Sequence, residues 1–181
     1  KLFHQNKKIA ATGNYYQQKK DSIWNYYTSD GSLIAKESYQ GGLKHGKFYK
    51  YFPDGKIAAE ETYENDMLHG IWRRFYPNGK PRIETMYRNN KRHGLFYVYF
   101  EKGRVQISGT YSNDLRDKSW IFYLDNGNID FNMDYKNGKA LNPELLEERQ
   151  RKQFEEYERN RHLLKDPQNF MHNPQEYFQG Y

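Results

Sequence analysis

The chain of 181 residues contains no cysteine, so disulfide staples, thiolate zinc sites and cysteine nucleophiles are excluded. No apolar stretch approaches the roughly 20 residues a helix needs to cross a bilayer. Apolar residues make up only 36% of the sequence, and the mean hydropathy is −1.20. Also missing are a glycine-rich phosphate loop opening a helix and a nucleophile elbow. Adjacent acids such as Glu60-Glu61 lie in extended segments and so point to opposite faces, which is poor geometry for paired-carboxylate catalysis. These gaps argue against an enzyme, and no residue set calls for a cofactor or a small-molecule substrate. The chain begins at Lys1 rather than Met; a processed or trimmed N-terminus is expected, with any signal peptide or lipid-bearing residue upstream.

What the sequence has is rings. Aromatics account for 18% of residues, among them 18 Tyr and 11 Phe. Disordered chains are poor in aromatics, whereas tyrosine, with an apolar ring and a polar tip, suits a thin fold whose core stays close to water. Net charge is +6 and unevenly placed. Residues 1–141 carry 23 Lys+Arg against 15 Asp+Glu, while residues 142–181 carry 6 against 8. A basic body can attract anionic partners, although scattered cations on a solvated sheet need none.

The rings recur at a fixed period, which decides the architecture. Trp24, Phe48, Trp72, Phe96 and Trp120 are each 24 residues apart. The same spacing holds for Gly31, Gly55, Gly79, Gly103 and Gly127, and for Tyr39, Tyr63, Tyr87, Tyr111 and Tyr135. A half repeat precedes them: Lys8-Ile9-Ala10-Ala11 matches Lys56-Ile57-Ala58-Ala59, with Lys7 in the turn-glycine position. Residues 1–22 read as an N-terminal cap and residues 23–141 as five hairpin repeats.

Within a repeat, Asp54-Gly55 and its counterparts Asp30-Gly31, Asn78-Gly79 and Asn126-Gly127 are expected to supply the positive φ angles of a hairpin turn. One strand, residues 47–53 in the second repeat, enters the turn. A second, residues 56–64, leaves it with Ile57, Ala59 and Tyr63 on one face. Residues 64–70 read as a second loop. On the entering strand Trp72 and Tyr76 share a face and Phe75 takes the other; that opposite position reads Tyr27, Tyr51, Phe75, Tyr99 and Tyr123. Stacked hairpins put such equivalents roughly 10 Å apart. The predicted fold is mainly β: an elongated single-layer antiparallel sheet of 24-residue β-hairpin repeats, five and a half in number, followed by a C-terminal α-helix and an extended tail.

The pattern stops at Asn142-Pro143-Glu144, a helix start with a capping Asn, Pro at the first helical position and an acid for the dipole. The helix is expected over 142–165, either covering the last sheet edge or projecting from it; covering is favoured because an open edge strand would invite aggregation. Residues 166–181 form an aromatic and proline-bearing tail. Its Phe170, Tyr177 and Phe178 are candidates for packing back on the sheet or inserting into a partner.

The stretch His69-Gly70-Ile71-Trp72-Arg73-Arg74-Phe75-Tyr76-Pro77-Asn78-Gly79-Lys80, continued by Tyr87 and the next His93-Gly94, resembles the bacterial variant of the MORN repeat, an antitoxin-like type, over about residues 1–141. The resemblance implies consecutive hairpins in an elongated sheet and no enzymatic activity in the repeat itself. It also implies members exported to or lipid-anchored in the cell envelope, some acting as antitoxin or immunity partners. Repeat five departs from the pattern with Asp117-Lys118 in place of His-Gly, which puts its loop conformation in question.

His45, His69 and His93 recur at the period, but equivalents roughly 10 Å apart cannot share one zinc, so no metal is expected. The functional expectation is a non-enzymatic scaffold for protein–protein interaction, an accessory subunit of a bacterial cell-envelope or outer-membrane complex. Its candidate contacts are Tyr27, Tyr51, Phe75, Tyr99 and Tyr123, with the tail aromatics as a second site. The alternatives are a toxin-binding antitoxin and a basic sheet binding anionic lipid or nucleic acid, with nucleic acid disfavoured because the rings already have a structural task. A periplasmic or outer-membrane location is favoured over the cytoplasm, with membrane contact through a partner or an upstream anchor.

Overall fold

The computed structural model describes residues 1–160, in two compact bodies that divide after Leu141. The first body is one sheet. In chain order its strands are β1 (Leu2–Phe3), β2 (Ile9–Tyr16), β3 (Lys19–Tyr27), β4 (Leu33–Gln40), β5 (Leu43–Lys44), β6 (Gly46–Tyr51), β7 (Ile57–Glu64), β8 (Met67–Phe75), β9 (Pro81–Arg88), β10 (Lys91–Tyr99), β11 (Val105–Ser112), β12 (Leu115–Tyr123), β13 (Ile129–Lys136) and β14 (Lys139–Ala140). All neighbours are antiparallel and follow sequence order, with β5 paired only to β4. Within residues 1–141 no second layer covers either face.

The two edges of the sheet are turned by different chemistry, and one differs from expectation. At Tyr76–Lys80 the Gly79 N–H donates to the Tyr76 carbonyl and the Tyr76 N–H to the Lys80 carbonyl, both at 2.8 Å. Only Gly79 has a positive φ there. Asn78 instead accepts the Lys80 N–H on its side-chain Oδ1 at 2.9 Å, as Asp54 does for Lys56 and Asn126 for Asn128. The Asn/Asp is therefore selected for a local side-chain turn, and the connection is a type I turn closed by a left-handed residue, not a two-residue mirror-image turn.

The two-residue turns lie on the other edge. Asn65-Asp66, Asn89-Asn90 and Asn113-Asp114 have both residues at positive φ, the mirror-image type whose twist matches the strands. The expected loop over 64–70 therefore shrinks to two residues, and Met67–Gly70 belongs to β8. Asp66, Asn90 and Asp114 also accept the backbone N–H of Lys44, Leu68 and Arg92 at 2.7, 2.7 and 3.0 Å, stitching each hairpin to the one before. The left-handed position of Gly46, Gly70 and Gly94 is kept by Ser22 (φ 60) and Lys118 (φ 60), so repeat five retains the bend despite losing His-Gly. The expected cap boundary at residue 22 falls inside β3.

The core lies on the face that carries Trp24, Phe48, Trp72, Phe96 and Trp120, called here the Trp face. Cross-strand registers place Trp24 opposite Glu37, Trp72 opposite Thr85 and Trp120 opposite Met133. Trp24 and Trp120 are each 1% exposed. A Cβ added to Gly13 or Gly109 would lie 2.3 or 2.4 Å from their ring carbons, so both indoles lie flat against glycine backbone. Their Nε1–H groups donate to the Asn14 and Thr110 carbonyls at 3.0 and 3.1 Å. Trp72 has Glu61 at the equivalent position and is only half-buried.

The second body shows α1 (Pro143–Asn160), with Glu144 in its first turn, Arg159 in its last and a Lys152–Glu148 ion pair at 2.7 Å. The expected continuation to 165, and the tail with Phe170, Tyr177 and Phe178, lie outside the described residues.

Candidate interaction surfaces

Each sequence-predicted contact ends a strand. Tyr27, Tyr51, Phe75, Tyr99 and Tyr123 are the last residues of β3, β6, β8, β10 and β12. Each sits where the register shifts at the turn, and each is half-buried. They stand on the face opposite the Trp face, in a row across the sheet rather than in a cluster. Tyr51 lies against Tyr49 with ring centroids 6.5 Å apart, and Tyr99 against Tyr97 at 6.0 Å. Burial pushes the Tyr51 and Tyr99 hydroxyls above the ordinary tyrosine value. Tyr123 Oη lies 3.4 Å from Ser108 Oγ. Ser108 is small where the equivalent positions hold Lys36, Glu60 and Glu84, and an open depression of ≈ 460 Å³ is lined there by Tyr97, Ser108, Tyr123 and Arg104.

The centre of this opposite face carries an ion-pair ladder that hydrophobic periodicity alone does not reveal. Lys47 Nζ meets Glu60 at 2.9 Å, Arg73 Nη1 meets Glu60 at 3.3 Å, and Arg73 Nε meets Glu84 at 2.6 Å. The ladder crosses β6, β7, β8 and β9. Glu60 is only 7% exposed; burial pushes its carboxyl up, and Lys47 and Arg73 more than offset this, holding it below the ordinary glutamate value.

The Trp face carries a feature the sequence reading missed. Lys20 Nζ lies 4.9 Å from the ring centroids of both Trp24 and Tyr39, and Lys44 Nζ lies 4.7 Å from that of Tyr63. Arg92 lies 4.1 Å from Tyr111, and Arg116 lies 4.6 Å from Trp120. These four cations also hold the 24-residue period, in the column Lys20, Lys44, Leu68, Arg92, Arg116. Where Leu68 breaks it, Arg74 swings over Trp72 at 4.0 Å and pairs with Glu61 at 2.6 Å. Each repeat thus brings one cation over its rings, a contact worth about 0.5–2 kcal/mol depending on desolvation. Tyr39 and Tyr63 donate to Glu37 and Glu61 at 2.7 and 2.8 Å. Burial, then the carboxylate bond, pushes Tyr63 up to about 12 and Tyr39 higher still.

His45, His69 and His93 do not converge: among the described residues no three His, Asp or Glu are close enough to hold a metal ion. Among the described residues no helix is long and apolar enough to cross a membrane. Lys91-Arg92-His93, the densest basic stretch, opens β10, and its Arg92 guanidinium meets Asp114 at 3.0 Å and the Tyr111 hydroxyl at 2.9 Å. The surfaces offer rings, cations and hydrogen-bond donors for recognition.

Three consecutive segments, residues 44–65, 68–89 and 92–113, match the model of a repeat family described as the MORN repeat variant. The segments begin on Lys44, Leu68 and Arg92, the cation column, and each ends at a two-residue turn. The structure continues the same unit on both sides of the match, through β3–β4 and β12–β13. No curated protein matches the chain.

Proposed function

Residues 44–113 are repeats of the MORN variant family, a repeat type that serves in protein or membrane interaction, and from this premise we propose that the protein is a non-enzymatic scaffold that binds a protein partner. The observation that carries the reading is the row Tyr27, Tyr51, Phe75, Tyr99 and Tyr123. One ring per repeat is fixed at a strand end, on a face over which residues 1–141 lay nothing. Tyr and Trp dominate binding hot spots because they bring large area at small entropic cost, and a row of them at constant pitch suits a long partner surface. The partner complex is placed at a bacterial cell envelope, with this chain as an accessory subunit; the family resemblance supports that finer reading.

Affinity capture of the native protein followed by mass spectrometry tests it, compared with a Tyr51→Ser, Phe75→Ser variant. The expected result is a stable protein partner whose recovery falls in the folded variant. A single captured toxin would select the antitoxin form of the reading. Equal recovery by the two proteins, or salt-sensitive nucleic-acid binding with no protein, refutes the assignment of this face.

A further inference from the structure

We propose that the Trp face binds an acidic segment of a partner protein in polyproline II conformation, with carboxylates three residues apart meeting the column Lys20, Lys44, Arg92 and Arg116. The proposal rests on the binding-scaffold reading and adds to it a second surface, on the other side of the sheet, with defined chemistry.

Uncompensated charge is the first support. The cross-strand registers put Lys20, Lys44, Lys50, Arg74, Arg92, Arg116 and Lys118 on this face against Glu37 and Glu61. Both carboxylates are already engaged internally, Glu37 by Tyr39 and Glu61 by Tyr63 and Arg74. Arg92 also meets Asp114 at 3.0 Å, but both of those side chains are at least a third exposed, and a solvent-exposed pair is worth little, so a ligand carboxylate can compete for the guanidinium. Lys20 and Arg116 donate to the neutral Tyr26 and Tyr135 hydroxyls, at 2.5 and 2.9 Å. Among the described residues no carboxylate forms an ion pair with Lys20, Lys44 or Arg116. The opposite face, by contrast, neutralises itself through the Lys47–Glu60–Arg73–Glu84 ladder.

Preorganisation is the second. These cations are half-buried, with their stems laid along rings, so little rotamer freedom is left to lose when an anion arrives.

The pitch selects the shape of the ligand. Equivalent residues two strands apart stand roughly 10 Å from one another. A polyproline II helix brings every third residue back to the same side after roughly 9 Å. A β-strand alternates sides at every residue and presents carboxylates three apart to opposite faces. An α-helix would need acids seven apart, leaving its intervening turns nothing to meet. Polyproline II ligands also dock on aromatic-lined surfaces, which the tyrosine columns of this face supply.

The break at Leu68 sharpens the motif. In the third repeat the column is apolar, and the guanidinium brought in to cover Trp72 is already neutralised by Glu61. The matching ligand reads acid, acid, apolar, acid, acid, each three residues after the last.

The test is fluorescence anisotropy at low salt with a labelled peptide, Glu-Pro-Pro-Glu-Pro-Pro-Leu-Pro-Pro-Glu-Pro-Pro-Glu. The controls are a peptide of the same composition with its four glutamates contiguous, a helical peptide with Glu every seventh residue, phosphatidylserine-containing vesicles, and a single-stranded oligonucleotide. The patterned peptide is expected to bind most tightly. Lys44→Gln and Arg116→Gln should each weaken it roughly two- to fivefold and flatten its salt dependence, with Arg116→Lys retaining most of the affinity. Tyr51→Ser on the opposite face should change nothing, so failure of the opposite-face row and failure of this proposal are read separately. Equal binding of the contiguous-acid peptide, tighter binding of the heptad peptide, vesicles or oligonucleotide, or unchanged affinity in variants whose circular dichroism matches the parent overturns the proposal.

Discussion

Gly109→Ala is a one-methyl change with a consequence set by a single contact. The added Cβ would stand 2.4 Å from Trp120 Cδ2 and 2.5 Å from Cε2, where carbon–carbon contact needs about 3.5–4.0 Å. The indole must therefore move about 1 Å or more, yet it is 1% exposed and tied through Nε1–H to the Thr110 carbonyl at 3.1 Å. Overpacking of this kind costs about 1–3 kcal/mol, and the loss of the indole hydrogen bond adds about 1 kcal/mol. Removing a glycine from a strand interior returns about 0.5–1 kcal/mol. The net expectation is a loss of about 2 kcal/mol.

A double-mutant cycle with Trp120→Phe isolates the clash from other effects. In repeats two and four the equivalent strand position holds Glu37 or Thr85 behind Phe48 or Phe96, so a phenyl ring coexists with a side chain at this position. Gly109→Ala should cost far less in the Trp120→Phe background, with a coupling of about 1–2 kcal/mol. Urea unfolding followed by circular dichroism gives the four stabilities. Hydrogen exchange at residues 107–121 localises the effect, because repeat arrays can open in parts. A Gly109→Ala protein within about 0.5 kcal/mol of the parent, or an additive cycle, would refute the argument.

Lys118→Gly should stabilise the protein by about 1 kcal/mol, read in the same urea experiment, because Lys118 holds a φ of 60° where the neighbouring repeats use glycine. Glu60→Gln should cost about 1–2 kcal/mol by leaving the Arg73 and Lys47 charges on the ladder without their buried partner. Its pH profile follows from sign: the folded carboxyls of Glu60 and Glu61 lie below the ordinary value. The stability they lend is present above the unfolded pKa of about 4.3 and is lost as pH falls through their lowered folded values, so Glu60→Gln should flatten the acid limb of a stability–pH curve. Tyr63 behaves in the opposite sense. Raised to about 12, it contributes stability present below about pH 10 and lost as pH rises toward 12, so Tyr63→Phe should remove a late-ionising component from the ultraviolet tyrosine titration.

Most of the array was legible because its residues repeat for reasons that act within one hairpin. Trp24 through Trp120, the turn glycines and the closing tyrosines mark strands and turns by position alone. The turns are less legible: Asn-Gly suits both a mirror-image turn and a side-chain-closed type I turn, and which one forms is decided by the hydrogen bond from Lys80 N–H to Asn78, while the two-residue turn at Asn65-Asp66 reads in the sequence only as part of a longer loop. Gly13 and Gly109 carry no signal of their own in the sequence, because what they accommodate, an indole from the next strand, is a cross-strand fact. The cation column escaped for another reason: Lys and Arg are scattered throughout this basic body, and Lys20, Lys44, Arg92 and Arg116 stand out only when their stems are seen on the rings. Leu68 hid the period further, its place taken by Arg74 from a different column.

A sheet to which residues 1–141 add no second layer has to bury its rings with what it carries, and this explains both the low hydropathy and the positive charge. A glycine floor takes Trp24 and Trp120 from one side, tyrosines meet them edge-on at 4.9 and 5.0 Å, and a lysine or arginine stem lies over the top. The covering residue must be long and apolar along its stem and tolerate water at its tip, which excludes leucine at most positions and selects Lys or Arg over Glu, since cations favour the ring face. Five repeats built this way accumulate positive charge on the Trp face as a by-product of burying it. Replacing Lys20, Lys44, Arg92 and Arg116 together with methionine separates the two roles. Methionine keeps the long apolar stem, so the sheet should stay folded with at most about 0.5–1 kcal/mol lost per site, while affinity for the patterned acidic peptide should disappear. A quadruple variant that unfolds would show that the charge itself is required for the core.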